Sequence, residues 1–156
     1  MTSPESTAKA KEAALRLIKF RPRSEAELAA RLHQKGFSES AIVVTVEELK
    51  GKGLVNDEKF SQYLVTGKLL SKPVGKRGLL KELALKGIDD SLAARAVQKA
   101  YAQIDELELA KTAALSRMQR LQGLGKEAMS RRLFGFLSRR GFSSETVYRV
   151  VRELSP

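Results

Sequence analysis

One pattern occurs three times in this sequence, and the repetition constrains the fold more than any other feature. The stretches HQKGFSESAIVVTVEEL (33–49), ALKGIDDSLAARAVQKA (84–100) and SRRGFSSETVYRVVREL (138–154) align on Gly36, Gly87 and Gly141, at spacings of 51 and 54 residues. Self-similarity at such a period is typical of stacked supersecondary units that bury a shared core.

Each column of the repeat predicts a structural role. Leucines eight and four residues before the glycine share one helical face. The glycine can adopt the left-handed conformation that ends a helix, and the Phe or Ile behind it can fold back on that helix. A Ser or Asp then caps the next helix, which carries an apolar stripe such as Ile42, Val46 and Leu49. Each copy therefore predicts a helix, a tight turn and a second helix.

A further helix precedes each pair. Residues 5–20 form the first such helix, and Ser24 with Glu27 predicts a capping box for the helix that follows. Asn56 or Asp57 can cap the second of these leading helices, and the third begins near residue 104. The predicted fold is all-α: three three-helix repeats, about nine helices, in one continuous, elongated and curved array, with boundaries at 1–55, 56–103 and 104–156.

Charge predicts the class of partner. The chain has 29 Lys and Arg against 18 Asp and Glu, a net charge of +11, which favours a polyanion such as nucleic acid or an acidic protein surface. With no Cys, neither a disulfide nor a thiolate metal site can form. No apolar run approaches the roughly 20 residues of a membrane span, and the N-terminus lacks the features of a secretory signal. We expect a cytoplasmic monomer that does not bind membranes.

No residue pattern indicates catalysis. The single histidine, His33, aligns with Ala84 and Ser138 in the other repeats and has no second His or Cys as a partner. The glycine-rich pieces do not have the spacing of a phosphate loop. We therefore expect no enzyme activity, no cofactor and no metal site.

Basic residues provide the best functional signal. Helical spacing places Arg77 with Lys81, and Arg132 with Arg139, on faces opposite the buried leucines. The candidate partner-binding residues on these two basic ridges are Lys72, Lys76, Arg77 and Lys81 on the first, and Arg131, Arg132, Arg139 and Arg140 on the second.

Four segments taken in order resemble the RecX family of regulators of the bacterial recombinase RecA. They are RPRSEAELAARLHQKGFS, GLVNDEKFSQYLV, GKRGLLKELALKGI and LFGFLSRRGFS…VYRVVREL, and the resemblance extends from about residue 12 to 154. It implies tandem three-helix repeats that bind RecA, chiefly as its filament on single-stranded DNA, and that inhibit recombinase, ATPase and coprotease activities in homologous recombination, DNA repair and the SOS response. It supplies no catalytic residue.

Two other functions fit part of the pattern. A stand-alone basic helical DNA-binding protein would use the QKGFS turn between two helices, but the second helix, ESAIVVTVEEL, is acidic and apolar and lacks base-reading side chains. With six Phe, three Tyr and no Trp, a stacking platform for single strands is poorly supported, and we expect direct DNA binding to be weak. A basic scaffold without preference for the filament is the other alternative.

Overall fold

The computed structural model describes residues 4–155; residues 1–3 and 156, the outermost ends of the predicted first and third repeats, lie outside it. Within residues 4–155 the chain is all-α, with nine helices and no strand. The helices are α1 (Pro4–Phe20), α2 (Glu25–Gln34), α3 (Glu39–Gly51), α4 (Asp57–Ser71), α5 (Lys76–Leu85), α6 (Asp90–Tyr101), α7 (Glu106–Arg120), α8 (Lys126–Arg139) and α9 (Ser144–Leu154).

The repeat glycines end α2, α5 and α8. Their φ angles are +92° at Gly36, +76° at Gly87 and +84° at Gly141, in the left-handed region that favours glycine. In each turn the glycine N–H donates to the carbonyl three residues back, and the next N–H donates to the carbonyl five residues back, as from Phe142 to Leu137 at 3.2 Å. The same backbone motif thus closes the middle helix of all three copies.

Polar side chains begin the helices that follow. Ser38 and Ser143 accept hydrogen bonds from the N–H groups of Ala41 and Thr146, and Asn56 accepts one from Lys59 at the start of α4. Asp57 instead accepts from the N–H of Glu25, 2.8 Å away, and so satisfies a donor in the first turn of α2.

The predicted capping box at α2 forms only in part. Ser24 accepts from the N–H of Glu27 at 3.1 Å. The Glu27 carboxylate, however, accepts hydrogen bonds from Arg21 and Lys86. A charged partner separated by 59 residues takes the place of the local backbone donor.

The chain separates into two compact units, and the predicted second repeat contributes to both. Unit 1 comprises the residues up to Tyr63 together with Leu83–Ala93, and unit 2 comprises Leu64–Glu82 together with the residues from Ala94 onward. Because this division cuts across the second repeat, the three repeat boundaries remain a prediction, as does the curvature of the array.

Unit 1 has its core between α1, α2 and α3. The repeat leucines Leu28 and Leu32 are fully buried against the α3 stripe, and Ala13, Ala14 and other core residues of this cluster come from α1 and the segment after α3. Burial of a side chain of this size contributes about 1.5–3 kcal/mol, which lets three short helices remain folded together.

Unit 2 repeats this arrangement with α7, α8 and α9. Leu133 and Leu137 are fully buried, like their counterparts in α2, and Phe142 and Val147 extend the cluster into the turn and α9. Small residues of α7, namely Ala110, Ala113 and Ala114, face this core and allow the helices to approach closely.

Each unit also contains a contact between a repeat turn and the start of a middle helix, here called the turn junction. In unit 1 the hydroxyl of Ser24 donates to the carbonyl of Lys86, 2.6 Å away, beside Gly87. In unit 2 the N–H of Gly75 donates to the carbonyl of Arg140 at 2.8 Å, and the N–H of Gly78 donates to Gly141 at 3.3 Å. Ser24 and Gly75 both lie 12 residues before a repeat glycine, so the two junctions occupy the same place in the repeat.

Candidate functional site

The ridge on α5 is exposed along most of its length. Arg77 and Lys81 on α5, and Lys72 in the segment between α4 and α5, are exposed and form no salt bridge within residues 4–155. Lys76 is exposed but has partners in its own unit: its amino group lies 3.8 Å from a carboxylate oxygen of Glu106 and 5.5 Å from the centroid of the Tyr101 ring. Of the four predicted residues, three therefore present charges without a neutralising partner.

The ridge on α8 differs at its last residue. Arg131, Arg132 and Arg139 are exposed, whereas Arg140 is half-buried. The Arg140 guanidinium donates to the carbonyl of Pro73 at 3.1 Å and lies 5.0 Å from the centroid of the Phe136 ring. It is thus oriented by its own unit, in contrast to the three other residues.

The two ridges meet at the turn junction of unit 2. The backbone of Arg140, next to Arg139, is bonded to Gly75, next to Lys76. These bonds occupy the N–H groups of Gly75 and Gly78, so they are not free to bind an anion at the start of α5. The polyanion-binding capacity of this surface therefore depends on side chains.

The junction also fixes the environment of Val74 and Tyr101 below the α5 ridge. The Tyr101 hydroxyl donates to the carbonyl of Val74, and burial raises the pKa of that hydroxyl. Tyr101 therefore remains a neutral hydrogen-bond donor beneath Lys76.

Positive charge is concentrated in unit 2. This unit contains 17 of the 29 Lys and Arg but only seven of the 18 Asp and Glu, so its net charge is +10 and that of unit 1 is +1. A net charge of this size in one compact unit attracts polyanions over a range set by the Debye length, about 8 Å at physiological ionic strength.

Unit 1 pairs most of its charges internally. Lys11 bonds to Glu48 at 2.6 Å, and Lys50 lies 3.1 Å from Glu25. Around Glu27, burial disfavours the charged carboxylate, but hydrogen bonds from Arg21 and Lys86 outweigh burial and lower its pKa to about 2.

Unit 1 also has a groove with an acidic rim. Its volume is about 540 Å³, its floor includes Ile42 and Val46, and its carboxylates come from Glu25, Glu47, Asp57 and Asp89. Burial raises the pKa of Asp57, although the N–H of Glu25 donates to its carboxylate. Acidic side chains are thus grouped at this groove of unit 1, whereas unit 2 presents basic side chains.

Sequence reasoning missed two arginines of α7. Arg117 and Arg120 line a cavity in unit 2 together with Phe136 and Arg140. The spacing of three residues places Arg117 and Arg120 on the same face of one helix, and this much could be predicted from the sequence. Phe136 and Arg140 come close to them only because α8 packs on α7, which the spacing does not show.

Three further features bear on catalysis, metal binding and membrane insertion. His33 is exposed on α2. Across residues 4–155, no group of three His, Cys, Asp or Glu could hold a metal ion. Over the same span, no helix combines the length and apolarity that crossing a bilayer demands.

Two family models match the chain, and they coincide with the cores of the two units. The model described as RecX, first three-helix domain, matches residues 10–49. The model described as RecX, third three-helix domain, matches residues 104–151.

Curated relatives cover most of the chain. The protein named regulatory protein RecX in Amycolatopsis mediterranei (strain U-32) is 32% identical over 145 residues, covering 93% of this chain and 82% of the relative. A protein of the same name in Mycobacterium sp. (strain KMS) is 37% identical over 145 residues, covering 88% of this chain and 76% of the relative.

Solved structures have the same fold. RecX from Lactobacillus salivarius superposes with a TM-score of 0.81 at 22% identity, covering 97% of this chain and 98% of that one. A crystal structure of regulatory protein RecX gives a TM-score of 0.84 at 23% identity, covering 95% of this chain and 73% of the other. At these identities the likeness concerns the fold alone.

Proposed function

Because this chain belongs to the RecX family, we propose that it is a negative regulator of the RecA recombinase. It binds RecA as a filament on single-stranded DNA, in the filament groove, and inhibits recombinase, ATPase and coprotease activities without catalysing a reaction itself. Its place of action is the cytoplasm, and it binds as a monomer.

Family membership across 93% of the chain carries the proposal, and the charge distribution supports a docking surface. The α5 and α8 ridges provide six exposed cations without a salt-bridge partner among residues 4–155, in a unit of net charge +10. A nucleoprotein filament offers both acidic protein surfaces and phosphates, so such a surface speeds encounter and favours docking.

Two modes of inhibition follow from such docking. A protein in the groove obstructs incoming duplex and, where it touches neighbouring subunits, restrains the motions that ATP turnover requires. A protein at the filament end blocks addition of further subunits. Both modes need the basic ridges. Only groove binding lets the filament bind many copies of this protein, at about one copy for every few RecA subunits.

Charge reversal tests the docking surface. Replacing Arg77, Lys81, Arg132 and Arg139 with Glu should abolish inhibition of RecA ATPase activity and co-sedimentation with filaments at physiological salt, while the helix content by circular dichroism stays unchanged. The matched control replaces Lys19, Arg31, Lys35 and Lys59 of unit 1 with Glu; these residues are exposed, and the net charge changes equally. Equal loss in both variants would assign the effect to net charge, and unchanged inhibition in the first would remove the ridges from the mechanism.

Salt dependence separates this function from stand-alone DNA binding. Binding to bare DNA through 6–10 phosphates loses roughly 10³–10⁵ in affinity between 50 and 200 mM salt. Filament binding through protein surfaces should fall far less over this range. Co-sedimentation with filaments and with DNA alone, at both salt concentrations, distinguishes the two.

A further inference from the structure

In the part of the chain that the structure describes, the lining of one cavity in unit 2 contains three arginines and no acidic residue. Its volume is about 250 Å³, and Arg117 and Arg120 of α7 meet Arg140 of the α8–α9 turn there. Ser116 adds a hydroxyl to the lining, and Phe136 of α8 forms part of the wall.

Two of the arginines are held in place before any ligand binds. The guanidinium carbons of Arg117 and Arg140 lie 5.3 Å and 5.0 Å from the centroid of the same Phe136 ring. Arg140 is also fixed by its hydrogen bond to the carbonyl of Pro73. Attraction between a cation and a ring face orients each group, so a ligand binding here does not bear the full entropic cost of ordering them.

The arginines of this cavity have charges and a hydrogen-bond donor without partners in the part of the chain that the structure describes. None of its arginines forms a salt bridge to a carboxylate within residues 4–155. The Nε of Arg117 is buried and has no hydrogen-bond partner in the part of the chain that the structure describes. A buried donor without an acceptor and like charges around one ring are both unfavourable, and an anion with several oxygen atoms would relieve both.

We propose that this cavity, here called the arginine pocket, binds a phosphate group. A single carboxylate is satisfied by one bidentate guanidinium, whereas the oxygens of a phosphate can accept hydrogen bonds from several guanidinium groups together. Stacking of a nucleic-acid base is less suited to this place, since both Arg117 and Arg140 already lie against Phe136. The phosphate belongs to a nucleic-acid strand or to a small phosphorylated ligand.

Inorganic phosphate tests the pocket directly on the full chain. NMR spectra of the arginine Nε–Hε groups should show a saturable change in chemical shift when phosphate is added. Chloride keeps the ionic strength constant in this titration. The shifting resonance should be absent in Arg117→Gln. Arg120→Gln, which removes an exposed side chain and so spares the fold, should weaken phosphate binding by about tenfold, as expected for loss of a charged hydrogen bond. Arg95→Gln, at an exposed residue of unit 2 that belongs neither to the pocket nor to a basic ridge, should leave the phosphate affinity unchanged.

A second arm identifies the source of the phosphate. If a single-stranded oligothymidylate displaces inorganic phosphate from the Arg117 resonance, the ligand is a nucleic-acid strand; if phosphate stays bound, it is a small molecule. Both outcomes support the pocket. The proposal is overturned by the absence of a saturable shift, by an equal loss of affinity in Arg95→Gln, or by binding of polyglutamate without binding of phosphate. RecA is absent from every arm, so the result is independent of the proposed function.

Discussion

In unit 1 the turn at Gly87 meets the start of α2, and in unit 2 the turn at Gly141 meets the start of α5. The first junction uses side chains: the Ser24 hydroxyl bonds to the carbonyl of Lys86, and the Lys86 amino group bonds to Glu27. The second uses the backbone, because the N–H groups of Gly75 and Gly78 bond directly to the turn. The same position in the repeat is thus held by side-chain hydrogen bonds in unit 1 and by backbone hydrogen bonds in unit 2.

The difference between the junctions is related to the difference in charge. In unit 1 the basic residue before the repeat glycine, Lys86, forms an ion pair with Glu27, which also pairs with Arg21. Its counterpart Arg140 in unit 2 has no carboxylate partner among residues 4–155 and is held by a carbonyl and an aromatic ring. A junction built from glycine backbone needs no acidic partner, so the basic residue of unit 2 stands at this place without the ion pair that its counterpart has in unit 1.

The largest effect on stability is expected at the glycine junction. A Cβ at Gly141 would lie 2.3 Å from the N and Cα of Gly78 and would require a φ of +84°. Gly141→Ala should lower the free energy of unfolding by about 2–5 kcal/mol, from left-handed strain and overpacking together. The midpoint of urea unfolding measures this.

Gly36→Ala is the matched control for that substitution. Gly36 has a φ of +92°, but no atom of residues 4–155 lies within 4 Å of the position of a Cβ there. Only the left-handed strain applies, about 1–2 kcal/mol. If both substitutions cost the same, close packing at the unit 2 junction does not contribute to stability.

A smaller, pH-dependent effect is expected at the charged junction. The pKa of Glu27 is lowered from 4.5 to about 2 in the folded chain, so its pairing stabilises unit 1 above pH 4.5 and the stabilisation is lost as the pH falls towards 2. The free energy of unfolding should differ between the wild type and Glu27→Gln by about 1–3 kcal/mol at neutral pH, and the difference should shrink over that window.

The control for this pH dependence lies in unit 2. Glu82, paired with Lys68 at 3.1 Å, is 38% exposed, against 13% for Glu27. Glu82→Gln should change stability little at neutral pH, since exposed pairs contribute about 0–1 kcal/mol. A difference for Glu27→Gln that did not depend on pH would contradict the role of its charge.

The smallest effect is expected from the cap of the charged junction. Ser24→Ala removes both the bond from Glu27 N–H and the bond to the carbonyl of Lys86, and should cost about 1–2 kcal/mol. Ser38→Ala removes a cap and an exposed local hydrogen bond with the Ser40 hydroxyl, but no tertiary bond, and should cost about 1 kcal/mol. Urea unfolding of the two variants separates the tertiary bond from the cap, and equal losses would show that the bond to Lys86 contributes nothing.

The sequence predicted the local structure because the repeat encodes it locally. Helix periodicity, cap residues and the glycines at three equivalent positions specify the helices and their turns, and Leu28, Leu79 and Leu133 are all fully buried as their column predicts. The exposed ridge residues Arg77, Lys81, Arg132 and Arg139 followed from the same periodicity.

Contacts between residues far apart in the sequence cannot be predicted from helix periodicity and cap residues. The pairing of Glu27 with Lys86, and the meeting of Arg117 with Arg140 at Phe136, depend on how helices pack. Helical spacing places Arg140 on the α8 ridge, since spacing alone cannot show that the carbonyl of Pro73 lies within reach of its guanidinium.

The turn at Gly36 is a suitable place to attach a probe, since no described residue packs against the Cβ position of its glycine. The chain has no Cys, so Lys35→Cys would introduce a unique thiol for attaching a dye on an exposed turn of unit 1, at a residue that belongs to neither basic ridge. Fluorescence from that dye would report complex formation without altering the surfaces under test.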